Sequence, residues 1–192
     1  NGNRQHYKTW CESVPGVGRA RIIPLFAGAN TVMAVLINTE GLPASQAVVD
    51  RVQEYIDPIT LGHTVEVGGE VIPVGDGLGD GVANIGAHFA AVTPAVVSIN
   101  ISFDADIQAN VGEEEIKAET RATLDKHIRE LNLSTPDTQD VVIRMSAVSS
   151  ILYALPGLVD YANLMINGET ANVAVMKRAI AVLGEVSVNV VI

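Results

Sequence analysis

The sequence predicts an α+β protein: two tandem small α+β domains, each a roughly three-stranded sheet packed with two helices. Three observations carry this. Segments with apolar residues at i, i+3, i+4 and i+7 alternate with short β-branched runs of strand character. A helix–corner–strand pattern occurs twice, as "WCESVPGVGRARIIPL" and as "ILYALPGLVDYANLMI", with the pairs Pro15-Gly16 and Pro156-Gly157 set 141 residues apart. Superposed on those pairs, Tyr7 falls on Val148, Trp10 on Ile151, Cys11 on Leu152, Val14 on Leu155 and Val17 on Leu158. Finally, 192 residues at 48% hydrophobic and 4% aromatic suit one good core or two small ones and exclude a disordered chain.

In chain order, residues 4–13 form a short helix with Tyr7, Trp10 and Cys11 inward, and "VPGV" turns the corner. "GRARIIPLF" is a strand with an irregularity at Pro24, "AGAN" a turn and "TVMAVLIN" a strand. "ASQAVVDRVQEYID" is a helix with Ser45 as N-cap and Val48, Val52, Tyr55 and Ile56 on one face; Asp57-Pro58 ends it. Val65, Val67, Gly68-Gly69 and Val71 describe a small hairpin, the Gly/Asp stretch after it a flexible surface loop, and "AHFAAV" a strand completing the first unit.

Past Thr93-Pro94, which reads as a hinge, Val97, Ile99, Ile101 and Phe103 alternate along a long strand. "GEEEIKAETRATLDKHIREL" is a helix with Glu113 to Glu115 at its positive end and Ile116, Leu124, Ile128 and Leu131 as its apolar stripe. "VVIR" is briefly extended, Ser146 caps a helix running through Leu155, and "VDYANLMIN" is a strand. "NGE" is a turn, and "AIAVLGEVSVNVVI" is a last alternating strand. The expected domains are residues 1–93, with an inserted hairpin and loop at about 59–81, and residues 94–192. The two copies differ in order, so they share a plan rather than a demonstrable duplication.

A net charge of −10 argues against nucleic acid and anionic membranes as partners. The longest apolar stretch, "GAHFAAVTPAVVSI", is too short for a bilayer and is broken by Pro94. No signal peptide is visible, a single cysteine implies no disulfide, and the opening "NGNRQHYKTW" suggests a piece of a longer protein.

Candidate chemistry is sparse. "GDGLGDG" at 75–81, with Asp76 and Asp80, offers a phosphate or Ca²⁺ reading. It lacks the Lys-Ser/Thr of a phosphate loop, opens no helix after a strand, and is not tandemly repeated. His6, His63, His88 and His127 have no metal-type spacing to one another or to Cys11. Cys11 sits on an apolar face matched by Leu152 in the second copy, so it reads as core. The serines of "SAVSS" have no nucleophile elbow, and Glu113 to Glu115 read as a helix start. The expectation is a non-enzymatic chain with no catalytic, cofactor-binding or metal residue. The competing reading is a small-ligand or Ca²⁺-binding module built on 75–81.

Taken in order, "VPGVGRARIIPL", "NTVMAVLIN", "PASQAVVDRVQEYID", "ANIGAHFAAVTPAVVSINISF", "LPGLVDYANLMING" and "IAVLGEV" resemble the Baseplate J-like family over essentially the whole chain. Members of that family are baseplate wedge proteins of contractile-tailed phages, phage-tail-like bacteriocins and Mu-type prophages. The resemblance implies the middle and C-terminal parts of a full-length member, located in the virion tail baseplate and assembled in the bacterial host cytoplasm. It implies partners among wedge and hub proteins, self-association in a ring, and no catalytic residues. This sequence departs from the family pattern at about 59–81, where the hairpin and loop run longer. Candidate contact surfaces are the 64–73 hairpin and the 113–131 helix.

Overall fold

The computed structural model describes residues 2–191 and divides into two compact units, the first ending at Ala95 and the second starting at Val96. Among the described residues they hold four helices and ten strands, two helices to each unit, in sheets of two or three strands.

In the first unit, α1 (Arg4–Glu12) starts at Asn3, whose side chain accepts from the His6 N–H at 3.0 Å. The helix buries Tyr7 and Cys11 while Trp10 is half-buried, and it leads through the Pro15-Gly16 corner into β1 (Arg19–Pro24). β1 pairs antiparallel with β2 (Thr31–Ile37), which pairs parallel with β5 (His88–Val92). The parallel pair is joined by α2 (Gln46–Ile56) and by a hairpin of β3 (Thr64–Val67) and β4 (Glu70–Pro73). β1 runs through Pro24, at the rim of the sheet, opposite Val32.

This sheet is covered on both faces. Ala34 and Leu36 pack with Tyr7, Cys11, Val52 and Phe89 on the helix side. Met33 and Val35 pack with Ile72, Val74 and Ala90 on the hairpin side. Double burial explains why β2 is a continuous apolar run rather than an alternating one. The hairpin forms a layer of the unit. Arg21, fully buried in β1, lies opposite Val35 in the register, between Ala20 and Ile22 of the helix-side core. It therefore faces the hairpin side.

In the second unit, β6 (Ala95–Ile107) is the central strand, flanked by β8 (Leu158–Ile166) and β10 (Ala179–Val190). β8 is antiparallel to β6. Glu185 N–H donates to the Asn100 side chain, Asn189 to Asp104, and Val191 N–H to the Ala105 carbonyl, so β10 advances along β6 in the same direction. Between β6 and β10 the chain makes α3 (Glu113–Ser134), β7 (Val141–Ile143), α4 (Met145–Tyr153) and β9 (Val173–Val175), which pairs with β7. β9 was not expected from the sequence.

Only one face of this sheet is apolar. Ile99, Ile101, Phe103 and Ala105 point into a core shared with Ile116, Leu124, Ile128, Val148 and Leu152. Ser98, Asn100, Ser102, Asp104 and Asp106 point the other way, which gives β6 its alternation. β10 changes phase at Gly184: Ala181 and Leu183 are buried before it, Val186 and Val188 after it.

Both units therefore share a sheet of antiparallel edge, centre and parallel edge, with the pieces in a different chain order. α1–β1 precedes the parallel pair in the first unit, and its counterpart α4–β8 is threaded inside the crossover in the second. The corners match bond for bond. Val14 N–H donates to Cys11 O and Val17 N–H to Val14 O, and 141 residues on Leu155 N–H donates to Leu152 O and Leu158 N–H to Leu155 O. Gly16 and Gly157 hold φ of 100° and 83°, a region that costs other residues about 1–2 kcal/mol.

Several local expectations need correction. Tyr55 is exposed, and the buried side of α2 carries Val49 and Gln53 beside Val48, Val52 and Ile56. Ser45 occupies the N-cap position of α2 without a side-chain capping bond. Arg144, not Ser146, is the N-cap of α4, whose first turn is tied instead by the Asn172 carboxamide accepting from Met145 N–H at 2.9 Å. The α3 stripe runs Ile116, Thr120, Leu124, Ile128 and Asn132, with Leu131 at its edge.

The corner predicts its own test. A Cβ on Gly16 would sit 2.9 Å from Val48 Cγ2, and one on Gly157 2.7 Å from Val111 Cγ2. Gly16→Ala and Gly157→Ala each lower stability by about 1–2 kcal/mol, read by urea unfolding. Unchanged midpoints for both would contradict the shared-corner account.

Candidate functional site

The most polar interior of the first unit lies where the Gly/Asp loop meets the end of α2 and the outer edge of β5. It is built from the helix outward. Gln53 and Ile56 face inward on the last turn of α2, and Asp57, with φ of −158°, leaves the helix extended. Gln53 then reaches the edge of β5: its Oε1 accepts from Ala91 N–H at 2.7 Å, and its Nε2 donates to Phe89 O at 3.0 Å and Asp57 O at 2.6 Å. Asp57 accepts from Phe89 N–H and Gly77 N–H, each at 3.0 Å. Gly75 N–H closes the set on Phe89 O at 2.8 Å. Each of these groups, buried without a partner, would cost about 1–3 kcal/mol, so together they outweigh the roughly 1.5–2 kcal/mol of ordering one glutamine side chain.

Asp76 works the other way, toward the chain after Asp57. Its carboxylate accepts from Thr60 N–H at 2.7 Å, Thr60 Oγ1 at 2.5 Å and Leu61 N–H at 3.0 Å. His88 Nδ1 lies 2.8 Å from Gly75 O, an acceptor, so that nitrogen carries the proton. Gly75 and Gly77 are buried, while Leu78, Gly79 and Asp80 are exposed. The expected surface loop is thus half interior. Its first aspartate is committed to backbone amides, and Asp80 stands on the exposed part. No group of three metal-ligating side chains occurs among the described residues.

The electrostatics follow from these contacts. Burial pushes the Asp57 carboxyl above its ordinary value, opposed by the Phe89 and Gly77 N–H groups. The folded chain holds that proton more tightly, so this contribution is complete below the unfolded value and fades as pH rises through the folded one. The Thr60 hydroxyl, helped by the Thr60 and Leu61 N–H groups, holds Asp76 below its ordinary value. Its contribution has the opposite sign: present above the unfolded value of about 3.9 and lost as pH falls through the lower folded one.

Of the remaining candidates, only His63 joins this region, beside His88 and Asp76. His6 packs on Trp10 with ring centroids 5.9 Å apart, and His63 lies 5.9 Å from His88. His127 is half-buried on α3. Cys11 is fully buried and its thiol is pushed far up, chiefly by desolvation, which suppresses the thiolate a nucleophile needs. Glu113 to Glu115 are exposed in the first turn of α3. Of the serines near 146–150, Ser150 bonds Ser146 O at 2.9 Å and Ser149 bonds the Tyr161 hydroxyl.

Sequence reasoning missed a matching device in the second unit. Asn132 Nδ2 donates to Ala181 O at 2.7 Å while its Oδ1 accepts from Ala181 N–H at 3.2 Å, sealing the outer edge of β10. The antiparallel edge of the first unit is sealed too: Ala20 N–H donates to Glu12 Oε1 at 3.1 Å, and Lys8, paired with Glu12 at 2.6 Å, donates to Ala20 O at 3.3 Å. A lone Gln or Asn within an apolar helical stripe was the available signal.

The loop yields a prediction. Asp76→Asn is less stable than the parent at pH 7, and the gap closes below about pH 3.9, read by thermal unfolding across pH. Ca²⁺ added on the order of millimolar gives no saturable heat in calorimetry. A saturable site lost in Asp76→Asn would restore the ligand-binding reading.

Comparison with known proteins gives a consistent picture. Residues 1–93 match the Baseplate J-like central domain and residues 99–189 the Baseplate J-like protein C-terminal domain. The chain is 31% identical over 188 residues to the phage-like element PBSX protein XkdT of Bacillus subtilis (strain 168), covering 98% of this chain and 48% of that protein. It is 30% identical, with the same coverage, to the protein YqbT of that organism. It thus spans about half the length of the curated relatives it matches. A chain in the cryo-EM structure of the anti-feeding prophage baseplate, 6-fold symmetrised, shares the fold with a TM-score of 0.60 at 10% identity, over 96% of this chain and 38% of that one. With the two matched segments accounting for nearly all of the sequence, the chain belongs to the Baseplate J-like family of phage tail baseplate proteins.

Proposed function

We propose that this chain is a structural part of the baseplate wedge of a contractile phage, prophage or tail-like particle, assembling with copies of itself and with neighbouring wedge and hub proteins. The observation that carries the reading is the pair of Baseplate J-like domains occupying residues 1–93 and 99–189. The side chains support it. The polar groups of the best-built site are spent on closing a strand edge, and the cysteine is buried. On this reading the protein works by shape, without catalysis or cofactor, in the tail baseplate of a particle assembled in the host cytoplasm.

No helix among the described residues is long and apolar enough to cross a membrane. Two surfaces suit assembly. The outward side of the β3–β4 hairpin presents Glu66 and Val71, and the solvent side of α3 presents Glu114, Ala118 and Arg121. Many copies in one particle multiply weak contacts, so neither surface has to bind tightly alone.

Deleting the coding region for these residues from the parent prophage tests this. Electron microscopy of induced lysates then shows no particles with complete baseplates, and complementation restores them. Complete, contraction-competent baseplates in the deletion strain would overturn the assignment.

A further inference from the structure

A groove in the first unit points to a site the family assignment does not specify. It holds about 370 Å³ and runs between α2 and the β3–β4 hairpin, with the end of β5 as its floor. Val49 and Asp50 lie on the helix wall, Ile59 and Pro73 complete the apolar lining, and Ala91 and Thr93 lie along the floor.

The floor is a strand edge, closed only in part. Phe89 N–H, Phe89 O and Ala91 N–H are taken by Asp57, Gly75 and Gln53. Strand alternation puts Ala91 O and Thr93 N–H on the same edge, one step further along. No group among the described residues bonds either of them; Ala91 is half-buried and Thr93 exposed. The seal therefore stops one residue short, inside a groove with walls on both sides.

We propose that this groove receives an extended, basic segment of a partner protein, which adds as a short strand beyond β5. Its backbone N–H donates to Ala91 O and its carbonyl accepts from Thr93 N–H, the ladder pattern of strand addition. Two features fix the chemistry. Asp50 on the helix wall favours a Lys or Arg on the incoming segment, in a chain whose net charge is −10. Val49, Ile59 and Pro73 give apolar support to the β-branched residues that suit an added strand. The inference stands on this local geometry and not on the particle assignment, so either can fail without the other.

The test is selection of random heptapeptides displayed on filamentous phage against the 192-residue chain, followed by calorimetry with the synthetic winners. The expected winners carry Lys or Arg flanked by β-branched residues, and on binding they protect the Thr93 amide from hydrogen exchange. Thr93→Pro removes that N–H just past the end of β5, and Asp50→Lys reverses the wall charge on the exposed side of α2. Each weakens binding about tenfold or more, with thermal unfolding as the check that the unit remains folded. A selection that yields no binders, or winners indifferent to both substitutions, or a Thr93 amide left unprotected, overturns the proposal. Enrichment of a sequence from this chain itself, with binding that saturates as a dimer, would replace the partner by a second copy and also count against it.

Discussion

A three-stranded sheet has one interior strand, so about a third of its backbone hydrogen-bonding groups face outward along two open edges. That constraint organises this molecule. Open edges invite pairing with other chains, and a small sheet cannot dilute them among many paired strands. Here the crossover helix of each unit sends an amide side chain to the edge of the parallel strand: Gln53 to Phe89 and Ala91, Asn132 to Ala181. At the antiparallel edge of the first unit, Glu12 and Lys8 do the same at Ala20. In the second unit the equivalent strand β8 carries register shifts and Asn163 at φ 52°, an irregularity that disfavours edge-to-edge pairing.

The faces are handled differently in the two units. In the first unit helices cover one face and the hairpin the other, so the Gly/Asp loop is drawn inward to tie the hairpin to α2. In the second unit the helices cover one face and the other stays polar. There Asp104 bridges both neighbouring strands through Asn163 at 2.5 Å and Asn189 at 2.8 Å. Those two carboxamides hold its carboxyl below the ordinary value. Such bonds tie the three strands together on the exposed face.

Much of this was legible in the residues, and the misses have physical causes. The repeated Pro-Gly corner is local: a left-handed glycine after a short amphipathic helix leaves the same trace wherever it occurs. The alternation of β6 likewise reports one buried face directly. The continuous run "TVMAVLI" carried the matching message, burial on both faces, but only a third layer could make sense of it, and that layer sits far along the chain in the hairpin. The polar groups were hardest to read. Gln53, Asn132 and Asp57 are single residues whose value depends on a strand edge brought up from 32 to 49 positions away. β9 was missed because three residues after a turn gain strand character only from pairing with β7. Tyr55 joined the wrong face because the α2 stripe turns toward Val49 and Gln53.

Site-resolved hydrogen exchange at the Ala91 and Ala181 amides tests the edge account most directly. Both belong to the outer strands of small sheets, yet the account predicts protection close to that of the interior strands, falling selectively in Gln53→Ala for the first and Asn132→Ala for the second. Exchange at the rate of an open strand edge in the parent chain, or protection untouched by those substitutions, would contradict it.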